Sequence, residues 1–279
     1  MNPRDPGHHL HVHRDQRELA HAVAQRISRA ASQAVARRGR FTITLAGGST
    51  PRTLYSVLAQ DHARDIPWSS IVILFGDERC VGPDHEHSNF RMAAQTLLTR
   101  VGILPHHVHR IRAESGSADA AREYDHVLRN VLAADPDGMF DLTLLGMGAD
   151  GHTASLFPGR DFSADAGRLA MPATAPTAFP VPERVTITLE AIARSRNVDF
   201  LVTGSDKRAT LQAVLRAAGS DADPALPASL VRGRHGIDCD QSGLLQGRFR
   251  KLLTNQRVRP GRVDVRAGRQ PLGLEQGLG

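Results

Sequence analysis

Asp150 and His152 stand two residues apart within Gly146 to Gly159, GMGADGHTASLFPG. A histidine beside a carboxylate can take up, hold and return a proton near neutral pH. The hydroxyls of Thr153 and Ser155 follow at once, and Gly146, Gly148 and Gly151 leave bare backbone N–H groups open to a close approach. The segment has the composition of an active site for a polar or anionic ligand. Asp141 to Leu145, DLTLL, is an apolar run that reads as the strand delivering it.

The same glycines satisfy GxGxxG, the dinucleotide fingerprint, which requires a full helix next and an acidic residue about 20 positions on. Neither follows here. Pro158 and Gly159 cut the next helix to about a turn and a half, and Arg168 to Pro182 is rich in Ala, Pro and Thr. A nucleotide-binding module therefore stands as the weaker alternative. No GxSxG elbow supports a covalent serine route, and no HExxH or comparable ligand set calls for a metal.

Three more stretches carry polar groups at strand ends. Phe41 to Leu45 (FTITL) runs into Gly47-Gly48-Ser49-Thr50-Pro51, where a proline in a first helical turn leaves N-terminal amides facing the loop, a site for an anion or simply a capped turn. Ile71 to Phe75 (IVILF) ends in Gly76-Asp77-Glu78-Arg79. Val198 to Thr203 ends in Gly204-Ser205-Asp206-Lys207, with Lys207 on the first turn of a helix reaching Ala217. Val108 to Ile111 and Val185 to Leu189 (VTITL) read as further strands. Helices are expected over Asp15 to Arg38, stopped by Gly39, over Phe90 to Arg100 with Ser88 or Asn89 as cap, and over Ser117 to Ala134.

Alternating strands and helices, with glycine or charge at nearly every strand end, give an α/β fold: a doubly wound, mostly parallel sheet with helices on both faces. In such sheets ligands bind outside the carboxyl ends of the strands. Gly47 to Thr50, Asp77 to Arg79, Asp150 to Ser155 and Lys207 should converge there on one crevice.

The 279 residues suffice for one large domain or two small ones, and the division expected is a disordered segment over 1–14, a single α/β domain over 15–247 and a basic, disordered tail over 248–279. His8, His9, His11 and His13 belong to the first of these, without an ordered second shell for a metal. The net charge of +6 resides in the tail, which carries eight Lys/Arg and two Asp/Glu and leaves 27 charges of each sign in residues 1–247. With Phe249 its only aromatic, the tail does not read as a nucleic-acid partner. No stretch approaches a membrane span or a signal peptide, and two cysteines, Cys80 and Cys239, suit the cytoplasm.

AGGSTPRTLY, FGDERCVGPDHEHSNFRMA, LLGMGADGHTASLFPG and VTGSDKRATL, in this order from about Phe41 to Ser229, resemble the successive motifs of the 6-phosphogluconolactonase family. The sheet and the GSTP and GxGxDGH motifs are similar also to glucosamine-6-phosphate deaminase, the alternative reading. There the residues after DGH typically read FNEPG rather than SLFPG, and DEY stands in place of DER. The resemblance implies hydrolysis of 6-phosphoglucono-δ-lactone to 6-phosphogluconate in the oxidative pentose phosphate pathway, with no cofactor. It assigns the base to His152, puts Asp77, Arg79 and Asp150 near the chemistry, and gives polar-ligand and phosphate contacts to Gly47, Gly48, Ser49, Thr50 and Lys207. After Pro227-Ala228-Ser229 the family's Trp-containing strand and Asp-x-Ala-Ala segment are missing, and Asp238 or Asp240 stands in for its aspartate.

Overall fold

The computed structural model describes residues 9–217, 223–231 and 235–241. Apolar β-branched runs become strands: β2 (Phe41–Leu45) and β3 (Ile71–Phe75) are buried along their whole length, β5 (Phe140–Gly146) at all positions but Gly146, and β8 (Ser195–Val202) at all but Arg196, Asn197 and Asp199. Burial on both faces requires cover on both faces, which fits a parallel sheet built through crossover helices. The helices are α1 (Gln16–Arg38), α2 (Ser49–Asp61), α3 (Asn89–Thr96), α4 (Ser117–Ala133), the short α5 (Leu189–Ala193) and α6 (Arg208–Ala217). Asp15 caps α1 by accepting from the Glu18 N–H at 2.8 Å, and Gly39 ends it in the left-handed conformation at φ 75°. Ser88 caps α3 through the Arg91 N–H.

The main sheet has the order β1-β9-β8-β5-β2-β3, and all neighbours are parallel. Its outer pair consists of β1 (His9–His13) and β9 (His235–Asp240). A second, three-stranded antiparallel sheet has the order β4-β7-β6, from Asp77–Arg79, Glu183–Ile187 and Ala170–Thr174. The core runs continuously through both sheets and the faces of α1, α2 and α4.

Several expectations change. His9–His13 is no loose end: it pairs with β9, and His13 Nε2 meets Asp238 Oδ1 at 2.8 Å. A buried carboxylate opposite the imidazole gives this polar segment its reason to be a strand. The Val185 strand leaves the parallel sheet for the antiparallel one, because it pairs with Asp77–Arg79, which itself becomes a strand. Pro172 sits within β6, on the sheet edge where a missing N–H is tolerated. Of the strand expected at 108–111 only an isolated bridge from Val108 to Ile73 forms, and α3 ends at Thr96 before a 3₁₀ turn at Leu98–Arg100. The loop after Gly151 proceeds by turns with no helix. The expected tail from 248 and residues 1–8 lie outside the described residues. Among the described residues no helix is long and apolar enough to cross a membrane, and Cys80 and Cys239 are both free.

Candidate active site

Because the main strands are all parallel, the loops after β2, β3, β5 and β8 leave the same edge of the sheet, and side chains tie them together there. Thr50 and Thr203 share a hydroxyl hydrogen bond of 2.6 Å between the β2 and β8 loops. Ser155 donates to Asp77 Oδ2 at 2.6 Å, joining the β5 loop to the end of β3. The Thr210 hydroxyl on α6 caps the Ala149 carbonyl, and the Ala228 N–H reaches Gly151 O at 3.0 Å. The four expected stretches therefore share one edge.

The β5 loop is folded around its histidine. Asp150 Oδ1 lies 2.5 Å from His152 Nδ1 and also accepts the His152 backbone N–H at 3.1 Å. A carboxylate accepts only, so in the neutral ring this contact puts the proton on Nδ1 and leaves Nε2 with its lone pair. The ring packs on Phe157 and Phe179, with centroids 4.8 and 5.8 Å away. A Cβ on Gly148 would fall 2.2 Å from Nδ1, so only glycine lets the loop close over the imidazole. Ala154 is held left-handed at φ 49°, which costs a non-glycine residue about 1 to 2 kcal/mol. Strain of that size two residues from the histidine is outweighed by the bonds around it, including Thr153 Oγ1 to Gly146 O at 2.8 Å.

The end of β3 is different in kind. Asp77 is buried, with Oδ1 accepting from Asn89 Nδ2 at 3.0 Å and Oδ2 from Ser155. Glu78 is deeper still and accepts from the backbone N–H groups of Arg79, Asn89 and Phe90 and from Ser88 Oγ. Burial pushes its carboxyl up while those amides pull it back. Glu78 therefore organises the start of α3. Arg79 donates through Nη1 to the His87 carbonyl, and its Nε is buried without a partner.

Gly48, at φ 107°, precedes α2 without any side-chain cap, so the first amides of that helix are left for water or a ligand. Gly48 and Ser49 are exposed, whereas Thr50 is spent on Thr203. Gly47 lies under Asn89, whose Oδ1 sits 2.1 Å from where a Cβ would be. Lys207 is half-buried in the 3₁₀ turn Ser205–Lys207 and has no carboxylate partner among the described residues. Of the two β9 aspartates, Asp240 accepts from the Gly204 N–H at 3.4 Å at this edge, and Asp238 is spent on His13 and Arg26.

Residues 14–239 match the family model described as glucosamine-6-phosphate isomerases/6-phosphogluconolactonase. The chain belongs to that family. Among curated members it is 36% identical over 229 residues to the 6-phosphogluconolactonase of Rattus norvegicus, covering 80% of this chain and 86% of the rat protein. To that of Mycobacterium bovis it is 38% identical over 223 residues, covering 77% and 88%. The solved structure of 6-phosphogluconolactonase from Thermotoga maritima superposes with a TM-score of 0.70 at 29% identity, over 84% of this chain and 100% of that one. A monomeric glucosamine-6-phosphate deaminase superposes at 0.73 with 18% identity, a likeness of fold alone.

Sequence reasoning missed Arg184, Phe157 and Phe179, which surround Asp77 and His152. Arg184 Nη1 stands 3.9 Å from Asp77 Oδ2, and its guanidinium lies over the Phe179 ring at 5.6 Å. The readable signal was an arginine at the head of an alternating β-branched strand. Its pairing with the strand at Asp77 is a tertiary fact that spacing does not carry. Two clefts of about 470 and 430 Å³ lie elsewhere, lined by residues such as Arg40 and His107 or Phe90 and Arg112, and none of the expected site residues lines either.

Proposed function

We propose that this chain hydrolyses 6-phospho-D-glucono-1,5-lactone to 6-phospho-D-gluconate, the lactonase step of the oxidative pentose phosphate pathway, with His152 as general base. A δ-lactone is an activated ester. Its hydrolysis needs a deprotonated water at the carbonyl, donors for the oxyanion and a proton for the departing ring oxygen. His152 Nε2 takes the proton from water while Asp150 holds the Nδ1 proton and steadies the imidazolium that forms. The tetrahedral intermediate then expels the ring oxygen, which takes that proton, and the carbonyl carbon keeps the water oxygen as the new carboxyl group. Arg79 serves the anionic substrate from the β3 side. Lys207 and the amides at Gly48 and Ser49 suit the phosphate, a group that asks for several positive or N–H donors.

The observation that carries this reading is the Asp150–His152 pair with its free Nε2, held at the carboxyl edge in a family whose named relatives are lactonases. SLFPG after the histidine and DER at β4 separate the chain from the deaminase pattern. Two free thiols fit a reducing cytoplasm. Incubation with freshly generated lactone, with spontaneous hydrolysis subtracted, tests the assignment. No acceleration over the blank would overturn it.

A further inference from the structure

Arg184 and Arg79 face each other directly across the β7–β4 pair, Arg79 opposite Arg184 in the register. Like charges directly opposite on a sheet repel, and this pair sits in a place where water gives little relief. Arg184 is only 4% exposed. Burial first and the neighbouring Arg79 second hold its guanidinium below the usual arginine range.

Buried guanidinium groups ordinarily have carboxylates that accept from them, and even the half-buried Arg196 has Asp135 at 2.8 Å. Arg184 lacks one. Its Nε donates to Val181 O at 2.8 Å, and its nearest carboxylate oxygen, Asp77 Oδ2 at 3.9 Å, already accepts from Ser155 Oγ at 2.6 Å. Neither terminal nitrogen donates a hydrogen bond to any described residue. The other carboxylate of β4, Glu78, is taken up by its donors at α3. Asp77 and Glu78 thus stand near the two arginines, but neither carboxylate accepts from a guanidinium nitrogen of either one. The deficit is an acceptor for the Arg184 terminal nitrogens.

The deficit lies beside the base. Phe179 carries the Arg184 guanidinium on its ring and packs edge-on to His152. An anion that completes the arginine pair therefore stands next to the imidazole. We propose that Arg184 is a substrate-contacting residue, whose terminal nitrogens receive the lactone carbonyl oxygen as it becomes an oxyanion and then the carboxylate of the product. Arg79 provides the second positive charge. This rests on the lactonase reading given above, and it assigns the two charged groups of the product to different side chains: carboxylate to Arg184, phosphate to Lys207.

The test compares two ligands that differ in one group: 6-phosphogluconate, and glucitol 6-phosphate, which lacks the carboxylate. In Arg184→Gln the first should bind about 10- to 100-fold more weakly, the range of a lost charge-assisted hydrogen bond, and the second should change less than about 3-fold. Arg184→Lys keeps the charge but loses the planar fork, and serves if the Gln variant does not fold. It should still weaken 6-phosphogluconate selectively. Lys207→Ala should weaken both ligands together. An unchanged ratio of the two affinities in the Arg184 variants overturns the inference while leaving the lactonase reading intact. Absence of lactone hydrolysis by the unmutated protein would overturn that reading instead, and is measured separately.

Discussion

Two loops on the same edge of the sheet begin alike and end as opposites. After β5 the chain meets glycine and then Asp150 and His152; after β3 it meets Gly76 and then Asp77, Glu78 and Arg79. The first loop turns back on itself, and its aspartate and imidazole keep 40% and 20% of their side-chain surface in contact with solvent. The second continues as a strand that β7 covers, so Asp77 and Glu78 are 7% and 2% exposed and every carboxylate oxygen has a donor. Equivalent motifs in the sequence thus acquire different duties. A charge left half-open can exchange a proton with substrate, and a charge enclosed by donors holds the loops where the open one needs them.

Substitution should separate these duties. His152→Gln keeps size and part of the hydrogen bonding but cannot act as a base, so kcat should fall on the order of 10² to 10⁴ with the melting temperature little changed. Near-normal kcat in corrected assays would remove the base from the open loop and dissolve the contrast. Asp77→Ala should do the reverse and cost about 2 to 4 kcal/mol in chemical denaturation, since it strands the Asn89 and Ser155 donors and leaves Arg184 without its one nearby carboxylate. A fully stable variant lacking activity would make Asp77 a reacting group.

Lys207→Ala lies on the open side and should act on binding alone. The expected rise in KM for the phosphorylated lactone corresponds to about 1.5 to 3 kcal/mol, with an unphosphorylated lactone nearly indifferent. Equal losses on both substrates would remove Lys207 from the phosphate. An effect on stability alone is expected on β8, where burial pushes the Asp199 carboxyl up to about 6 despite Arg26. Its ordinary value is 3.8, so between these values the folded state binds the extra proton and stability is lost as pH rises through the window. Asp199→Asn should therefore raise the melting temperature by a few degrees at pH 7.5 and leave it unchanged near pH 3. A drop at pH 7.5 would mean the Arg26 contact outweighs the burial.

The legible part of the fold is the part whose burial is two-sided. FTITL, IVILF and DLTLL read as strands because parallel strands covered on both faces have no polar face, and the loops following them inherited the correct edge. HLHVH and HGIDCD were illegible for the converse reason: their polar side chains neutralise one another across β1 and β9, so neither segment is apolar when read alone. AMPAT was hidden by Pro172, which only an edge strand accepts. At the site, His152 and Asp150 were legible because their relation is local. Arg184 was not, because its meaning depends on register against Arg79.

His13 and Asp238, which bond across the outer strand pair, are 225 positions apart in the chain. During synthesis β1 emerges first and can find no partner until nearly all of the described fold has been made, and the loop it must close is among the longest the chain offers. The strands β2, β3 and β5 can assemble meanwhile. Completion of the sheet is thus a late event on the ribosome, and until it occurs the nascent protein presents β8 as a bare edge, apolar over residues 200–202, the form in which it has most need of a chaperone.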